Sequence, residues 1–208
     1  MAEITALKYQ KKNQNRVNVY LDGRFALGVP DIVAATLKVG QELSEAEIEA
    51  LKKEGDVETA YGRTLDYLSY RPRSRNEVVR YLQKRDMGEQ EIELVLERLE
   101  RAGLVDDEEF ARFWVENRER FRPRGLRALR YELRQKGVSD RIIDRAVAEV
   151  DVSDSAYRSA EKKARQWSHL DYNTFRRKLV AYLSRRGFNY EVAREVTDRH
   201  WAEQSAGD

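Results

Sequence analysis

One stretch of the sequence, residues 122–138 (RPRGLRALRYELRQKGV), combines cationic and apolar side chains at helical spacing. Three leucines recur at i, i+3 and i+7 and therefore share one helical face: Leu126, Leu129 and Leu133. Three arginines repeat this spacing on the neighbouring face: Arg127, Arg130 and Arg134. Between residues 118 and 136, eight lysines and arginines stand against two glutamates, although the net charge of the chain is only +2. This local positive potential favours a negatively charged partner, and a solvated helix face is the alternative.

Cations are also concentrated in two other stretches, near residues 71–85 and 176–186. Together the three stretches supply the candidate binding residues: Arg71, Arg73, Arg75, Arg118, Arg122, Arg124, Arg127, Arg130, Arg134, Lys136, Arg176, Arg177 and Arg185. We call this set the basic band, because stacked helices would align it to neutralise phosphates or an acidic protein surface. Five tyrosines lie among these charges: Tyr67, Tyr70, Tyr81, Tyr131 and Tyr182. They can stack on bases or contact a protein, and half-buried packing is the alternative for most of them.

No combination of residues indicates catalysis, a metal site or a cofactor. The run Asp106–Glu109 precedes an apolar helical face, so it is expected to be a helix N-cap and first turn rather than a metal site. The only histidines, His169 and His200, lack metal-binding spacing, and a structural role is expected for His200. Walker, nucleophile-elbow and dinucleotide-binding motifs are missing. An enzyme is therefore the least favoured function, after a protein that binds an acidic protein surface and one that binds nucleic acid.

Composition narrows the class of protein. With 41% hydrophobic and 37% charged residues and only three prolines, the chain is typical of a soluble helical protein. The absence of cysteine excludes disulfides and thiolate metal sites and agrees with a reducing compartment. Apolar runs are too short to cross a bilayer, and the first residues lack the apolar core of a signal peptide. We expect a cytoplasmic protein and a monomer.

The first 55 residues predict a small β-meander followed by helices. Residues 4–10 and 16–21 alternate with the period of a strand, Asp22-Gly23 is typical of a hairpin turn, and residues 25–29 complete the meander. A short helix is expected after Pro30. Residues 44–47 (SEAE) then predict a capping box, in a helix that Gly55 is expected to end.

The rest of the chain predicts nine helices and no strand. The segments LQKR (82–85), LRQK (133–136) and LSRR (183–186) align with a period of about 50 residues, and their apolar neighbours align as well. The expected fold is therefore mainly α: three tandem three-helix repeats in an elongated, curved array behind a small α+β extension. The predicted boundaries are 1–55 for the extension and 56–104, 105–151 and 152–208 for the repeats.

The sequence resembles the RecX family, bacterial regulators of the RecA recombinase. The resemblance lies in LSYRPRSRNEVVRYL (68–82), RLERAGLVDDEEFARFWVENR (98–118) and RPRGLRALRYELRQKGVSDRIIDRAV (122–147), with a weaker match in LSRRGFNYEVAREV (183–196). It covers about residues 56–201, and the extension resembles one found in some members. The resemblance implies three tandem three-helix repeats, and no catalytic signature belongs to it.

The resemblance implies a non-enzymatic regulator that binds the RecA filament and reduces recombination, filament-dependent ATPase and coprotease activity, in DNA repair and the SOS response. A long helical array would contact several protomers and gain avidity from weak sites. The alternative is a helical-repeat protein that acts directly on single- or double-stranded DNA. Both partners would be recognised by the basic band.

Overall fold

The computed structural model describes residues 1–205 and is mainly helical. Its strands are β1 (Ala2–Gln10), β2 (Asn13–Leu21), β3 (Arg24–Pro30) and β4 (Glu42–Leu43). Its helices are α1 (Asp31–Ala34), α2 (Glu45–Ser69), α3 (Arg75–Gln83), α4 (Glu89–Arg101), α5 (Asp107–Phe121), α6 (Leu126–Gln135), α7 (Asp140–Val147), α8 (Val152–Gln166), α9 (Tyr172–Arg185) and α10 (Tyr190–Ser205). The nine helices predicted after the extension are confirmed within these residues. The last three residues of the predicted third repeat lie outside the described part.

The extension forms an antiparallel sheet in the order β3-β2-β1-β4. Asp22 and Gly23 have φ angles of 49° and 79°, so the predicted hairpin turn is confirmed in the left-handed conformation that suits strand twist. Alternate residues of the strands face inward, and Ile4, Val19 and Val29 are buried there. Strand β4, which pairs with the start of β1, is too short to give a sequence signal.

Helix α2 begins at the predicted capping box. The Ser44 N–H donates to Glu47 Oε2 at 2.7 Å, and the Glu47 N–H donates to Ser44 Oγ at 3.3 Å. The predicted stop at Gly55 is wrong, because α2 continues without interruption to Ser69. A Cβ at residue 55 would lie 3.0 Å from Val29 Cγ1, so the glycine allows the helix to approach β3 closely.

Three three-helix repeats follow, and each has its own apolar core. In the first, α2, α3 and α4 bury Val78, Leu82 and Leu96. In the second, α5, α6 and α7 enclose a core that contains Phe110 and Leu133. The cores of the third repeat and of the extension are separate clusters. A repeat of about 50 residues buries little apolar surface by itself, as is common in repeat proteins. The boundaries at residues 55, 104 and 151 stay predictions.

A left-handed residue follows the middle helix in each repeat. Gly137 and Gly187 have φ angles of 80° and 91° there, a conformation that glycine adopts without strain. The first repeat has Asp86 at this place and reaches the same conformation, with φ 59°. Aspartate is among the few residues other than glycine that tolerate this region, so the turn recurs without a glycine.

The chain divides into two compact units. One contains Met1–Pro72 and Val78–Val105, and the other contains Arg73–Glu77 and the chain from Asp106 onward. The second and third repeats therefore belong to one unit, and the extension and most of the first repeat belong to the other.

Basic helices as a candidate interaction surface

Helix α6 has the two faces that its sequence predicts. Leu129 and Leu133 are fully buried in the core of the second repeat, and Leu126 packs at its edge. Arg127 and Arg134 are exposed, and Arg130 is half-buried. Gly125 is the N-cap, so the helix begins directly after the Arg-Pro-Arg turn. The turn and the helix together place cations on the surface beside the leucine face.

The three arginines of this face are not free cations. Arg130 Nη2 lies 2.8 Å from Asp144 Oδ1, and Arg134 Nε lies 2.7 Å from Asp140 Oδ1. Both aspartates belong to α7. Arg127 Nη2 donates to the Ser184 carbonyl at 3.2 Å. These partners reduce the positive potential of the stripe, which sequence spacing within α6 alone does not reveal.

The half-buried carboxylate of Glu132 contacts further members of the basic band. Glu132 Oε2 accepts hydrogen bonds from Trp114 Nε1 at 2.9 Å and from Arg118 Nε at 2.7 Å. Arg124 Nε lies 3.7 Å from the other oxygen of Glu132. Arg118 also lies over the Trp114 ring at 4.5 Å. The same carboxylate thus holds Arg118 and Arg124, two arginines that the sequence assigned to binding. Both therefore contribute to the structure of the second repeat.

Lys136 also has a structural partner within the second compact unit. Its Nζ lies 2.7 Å from Glu77 Oε1, and its carbonyl accepts the Ser74 hydroxyl at 2.6 Å. In the third repeat, Arg176 Nε lies 3.7 Å from Asp198. Arg71, Arg73 and Arg75 are half-buried around the Arg-Pro-Arg turn of the first repeat.

Three members of the basic band are exposed and form neither an ion pair nor a side-chain hydrogen bond within residues 1–205: Arg122, Arg177 and Arg185. They come from the turn before α6 and from helix α9. An unpaired guanidinium on the surface keeps its full charge and all five donors for a partner. We call these three residues the open arginines.

Four of the five tyrosines divide into two groups, and the fifth, Tyr182, is half-buried and packs edge-on against Trp167 with ring centres 6.4 Å apart. Tyr67 and Tyr81 stack at 4.1 Å, with the Arg85 guanidinium 3.7 Å from the Tyr81 ring centre. These half-buried rings contact one another, as the packing alternative predicts. Tyr70 and Tyr131 are 84% and 63% exposed, so both rings remain accessible to a partner.

A recurring close contact between repeats was not apparent from the sequence. The Gly125 N–H donates to the Arg186 carbonyl at 3.0 Å, and a Cβ at Gly125 would lie 2.2 Å from the Gly187 backbone. Arg186 donates to the Pro123 carbonyl at 3.1 Å. Ser74 aligns with Gly125, and Lys136 aligns with Arg186. The hydrogen bond from Ser74 to the Lys136 carbonyl is therefore the equivalent contact one repeat earlier. The serine or glycine that ends each Arg-Pro-Arg turn is one sequence signal of this contact, and Gly137 and Gly187 are another, since a Cβ there would lie 2.4 and 2.5 Å from the neighbouring repeat.

The acidic run and the buried histidine have the structural roles predicted. Asp106 caps α5 by accepting from the Glu108 and Glu109 N–H groups at 2.7 and 3.2 Å. His200 is buried, with its ring stacked on Tyr157 at 4.1 Å and Nε2 3.2 Å from the Tyr157 carbonyl. Within residues 1–205 no group of three acidic or histidine side chains is arranged to hold a metal ion.

Models of four domains of one protein family match successive parts of the chain. The RecX N-terminal domain model matches residues 2–44, and the models of the first, second and third RecX three-helix domains match residues 60–99, 106–147 and 149–197. The regulatory protein RecX of Bacillus licheniformis is 33% identical over 92% of this chain and 75% of its own length. The chain belongs to the RecX family. The resemblance seen in the sequence is thereby confirmed and extends to the β-sheet.

Other family members agree with this assignment. The regulatory protein RecX of Prosthecochloris aestuarii is 39% identical over 70% of this chain and 95% of its own length. A crystal structure of regulatory protein RecX superposes with a TM-score of 0.77 at 30% identity, covering 95% of this RecX-family chain and all of the other. A RecX structure from Lactobacillus salivarius gives 0.63 at 27% identity, covering 70% and 96%. No helix within residues 1–205 has the length and apolar character needed to span a bilayer.

Proposed function

We propose that this chain is a cytoplasmic regulator that binds the RecA recombinase filament and reduces its recombinase, ATPase and coprotease activities. The observation that carries the proposal is the match of all four RecX domains, in order, along the chain. The relatives are named regulatory proteins, which supports a regulatory and non-catalytic role.

The open arginines are the first candidates for filament contact. Their charge is not neutralised within the protein, so a negatively charged partner can pair with them without breaking an existing ion pair. Residues such as Arg130 and Arg134 must exchange an aspartate for the partner, which reduces the net gain of each contact. We therefore expect the affinity to depend on the open arginines more than on the paired stripe of α6.

Direct binding to DNA is the second candidate function. The exposed Tyr131 belongs to the same compact unit as the open arginines, and this combination of a stacking ring and cations suits single-stranded nucleic acid. One surface can serve both partners, because a recombinase filament presents nucleic acid together with protein.

A parallel titration separates the two functions. The protein is added to a recombinase filament on single-stranded DNA and to the same DNA without recombinase, at several salt concentrations. Filament regulation predicts that substoichiometric protein slows ATP hydrolysis while the bare DNA binds much more weakly. Equal affinity for filament and bare DNA would favour the second function, and an unaffected recombinase at every ratio would contradict the first.

A further inference from the structure

The first helices of the three repeats can be aligned by their buried positions. Three buried alanines correspond: Ala60 in α2, Ala111 in α5 and Ala156 in α8. The Arg-Pro-Arg turns after α2 and α5 agree with the first part of this alignment, and the aspartate N-caps of α5 and α8 agree with the second. The residue after each alanine points along the same side of its helix. It is Tyr61 in the first repeat, Arg112 in the second and Tyr157 in the third.

In the first and third repeats this tyrosine lies against the third helix. The Arg98 guanidinium of α4 is 4.0 Å from the centre of the Tyr61 ring. In the third repeat, the His200 ring of α10 stacks on Tyr157 at 4.1 Å and 10°. Both tyrosines are half-buried and pack against the core of their own repeat. An aromatic ring therefore fills the space between the first and third helices in these two repeats.

The second repeat has no ring at this position, and an open groove is present there. The groove between α5 and α7 has a volume of about 460 Å³ and is lined by Arg112. Its apolar lining comes from four side chains: Val115, Ile142, Ala146 and Val150. The residue that aligns with His200 is Val150, which carries no ring. The size and mixed lining are those of a site that binds a side chain or a short segment.

The charge around the groove is predominantly negative. Its lining includes five carboxylates and two guanidinium groups. One of the carboxylates, Glu108, is paired with Arg145. Glu116 and Glu149 are exposed and form no ion pair within residues 1–205. Oε1 of Glu119 is shielded from solvent and accepts no hydrogen bond there, although Oε2 pairs with Arg158 at 2.9 Å. The groove thus repels nucleic acid and attracts cations, the opposite preference to that of the basic band.

We propose that the groove between α5 and α7 is a docking site for a segment of a protein partner, carrying an aromatic or large aliphatic side chain flanked by lysine or arginine. The apolar side chain takes the place that Tyr61 and Tyr157 occupy in the other repeats. The flanking cations pair with Glu116 and Glu149. Burial of the ring supplies most of the affinity, and the charges select the partner.

The probe for this site is a short peptide with a central Trp-Leu pair flanked by two lysines on each side. A matched peptide carries glutamates in place of the lysines. The full chain is labelled with ¹⁵N, and amide shifts are followed during titration with each peptide. The proposal predicts saturable shifts at Val115, Ile142 and Ala146 with the lysine peptide only. Equal binding of the glutamate peptide, or shifts confined to other surfaces, would overturn it.

Two variants test the groove itself. Arg112→Tyr installs the ring found in the other repeats, so the melting temperature should be retained or raised while peptide affinity falls about tenfold or more. Glu116→Lys with Glu149→Lys should weaken the lysine peptide to a similar extent. The matched control is Glu97→Lys with Glu195→Lys, which makes the same charge change at exposed positions of α4 and α10 and should bind like the parent.

Two results with the Arg112→Tyr variant would overturn the proposal. Unchanged peptide binding by folded Arg112→Tyr would overturn the proposal, and if that variant melts early the charge-reversal pair decides. Concentration-dependent dimers that Arg112→Tyr abolishes would assign the groove to a second copy of the chain, which also overturns it. The proposal goes beyond filament binding, and because the peptide assay contains no recombinase, its failure is distinguishable from failure of the proposed function.

Discussion

Replacing the open arginines with alanine removes three positive charges without breaking an ion pair that the structure shows. The comparison variant replaces the stripe of α6, which has the same charge change: Arg127→Ala, Arg130→Ala and Arg134→Ala. In the stripe, the two aspartate pairs are 36–68% exposed, so each contributes only about 0.2–1 kcal/mol to stability. The hydrogen bond from Arg127 adds about 1 kcal/mol. Five of the six arginines lie in α6 or α9, where alanine favours the helix, and Arg122 lies in an exposed turn, so both variants should fold and only the stripe variant should melt slightly earlier.

Function should follow the opposite order. For phosphate contacts on single strands, each lost cation reduces the log-log salt slope by about 0.7, so loss of all three open arginines reduces it by about 2. The paired stripe should change the slope less, since its charge is already partly neutralised. The assay measures the melting temperature, and filament inhibition at several salt concentrations, for the parent and both variants. The reasoning is refuted if the open-arginine variant inhibits like the parent with an unchanged slope.

Three further predictions concern stability. Leu129→Ala should cost about 2–5 kcal/mol, because the leucine is fully buried, and should impair function only through unfolding; a melting temperature equal to the parent's would contradict this. Gly187→Ala should cost at least about 1–2 kcal/mol in chemical denaturation, because φ is +91° and the new Cβ would lie 2.5 Å from Ala128; a neutral effect would disprove the tight contact between repeats. Hydrogen bonds from the Thr174 hydroxyl and N–H lower the pKa of Asp171, so the α9 cap should be complete above the ordinary aspartate value of about 3.9 and lost as the pH falls through the lowered pKa. Amide exchange in α9 measures this loss, which Asp171→Asn should make independent of pH.

The helices could be predicted because local signals agree with the tertiary fold. Leu129 and Leu133 have the spacing of one face, and that face is buried. The acidic run after residue 105 has the composition of an N-cap and serves as one. Gly55 was wrongly predicted to end a helix, because the local sequence does not distinguish a glycine inside a helix from one that ends it. Its role depends on Val29 of the neighbouring strand, which is distant in sequence.

The candidate surface was only partly predictable for the same reason. Spacing places Arg130 and Arg134 on one face, but their charge depends on Asp140 and Asp144 of the next helix. The spacing along one helix shows which cations share a face. It does not show which acidic side chains of other helices form ion pairs with them. The groove of the second repeat has no local signal in the sequence, because Arg112 is unusual only in relation to the tyrosines at the equivalent positions of the other two repeats.

The central claim is best tested by the rate of ATP hydrolysis by a recombinase filament on single-stranded DNA as this protein is titrated in. We predict that the rate falls at substoichiometric protein, while the same concentrations leave bare single-stranded DNA largely unbound. A rate unchanged up to equimolar protein would contradict the claim that this chain regulates the filament.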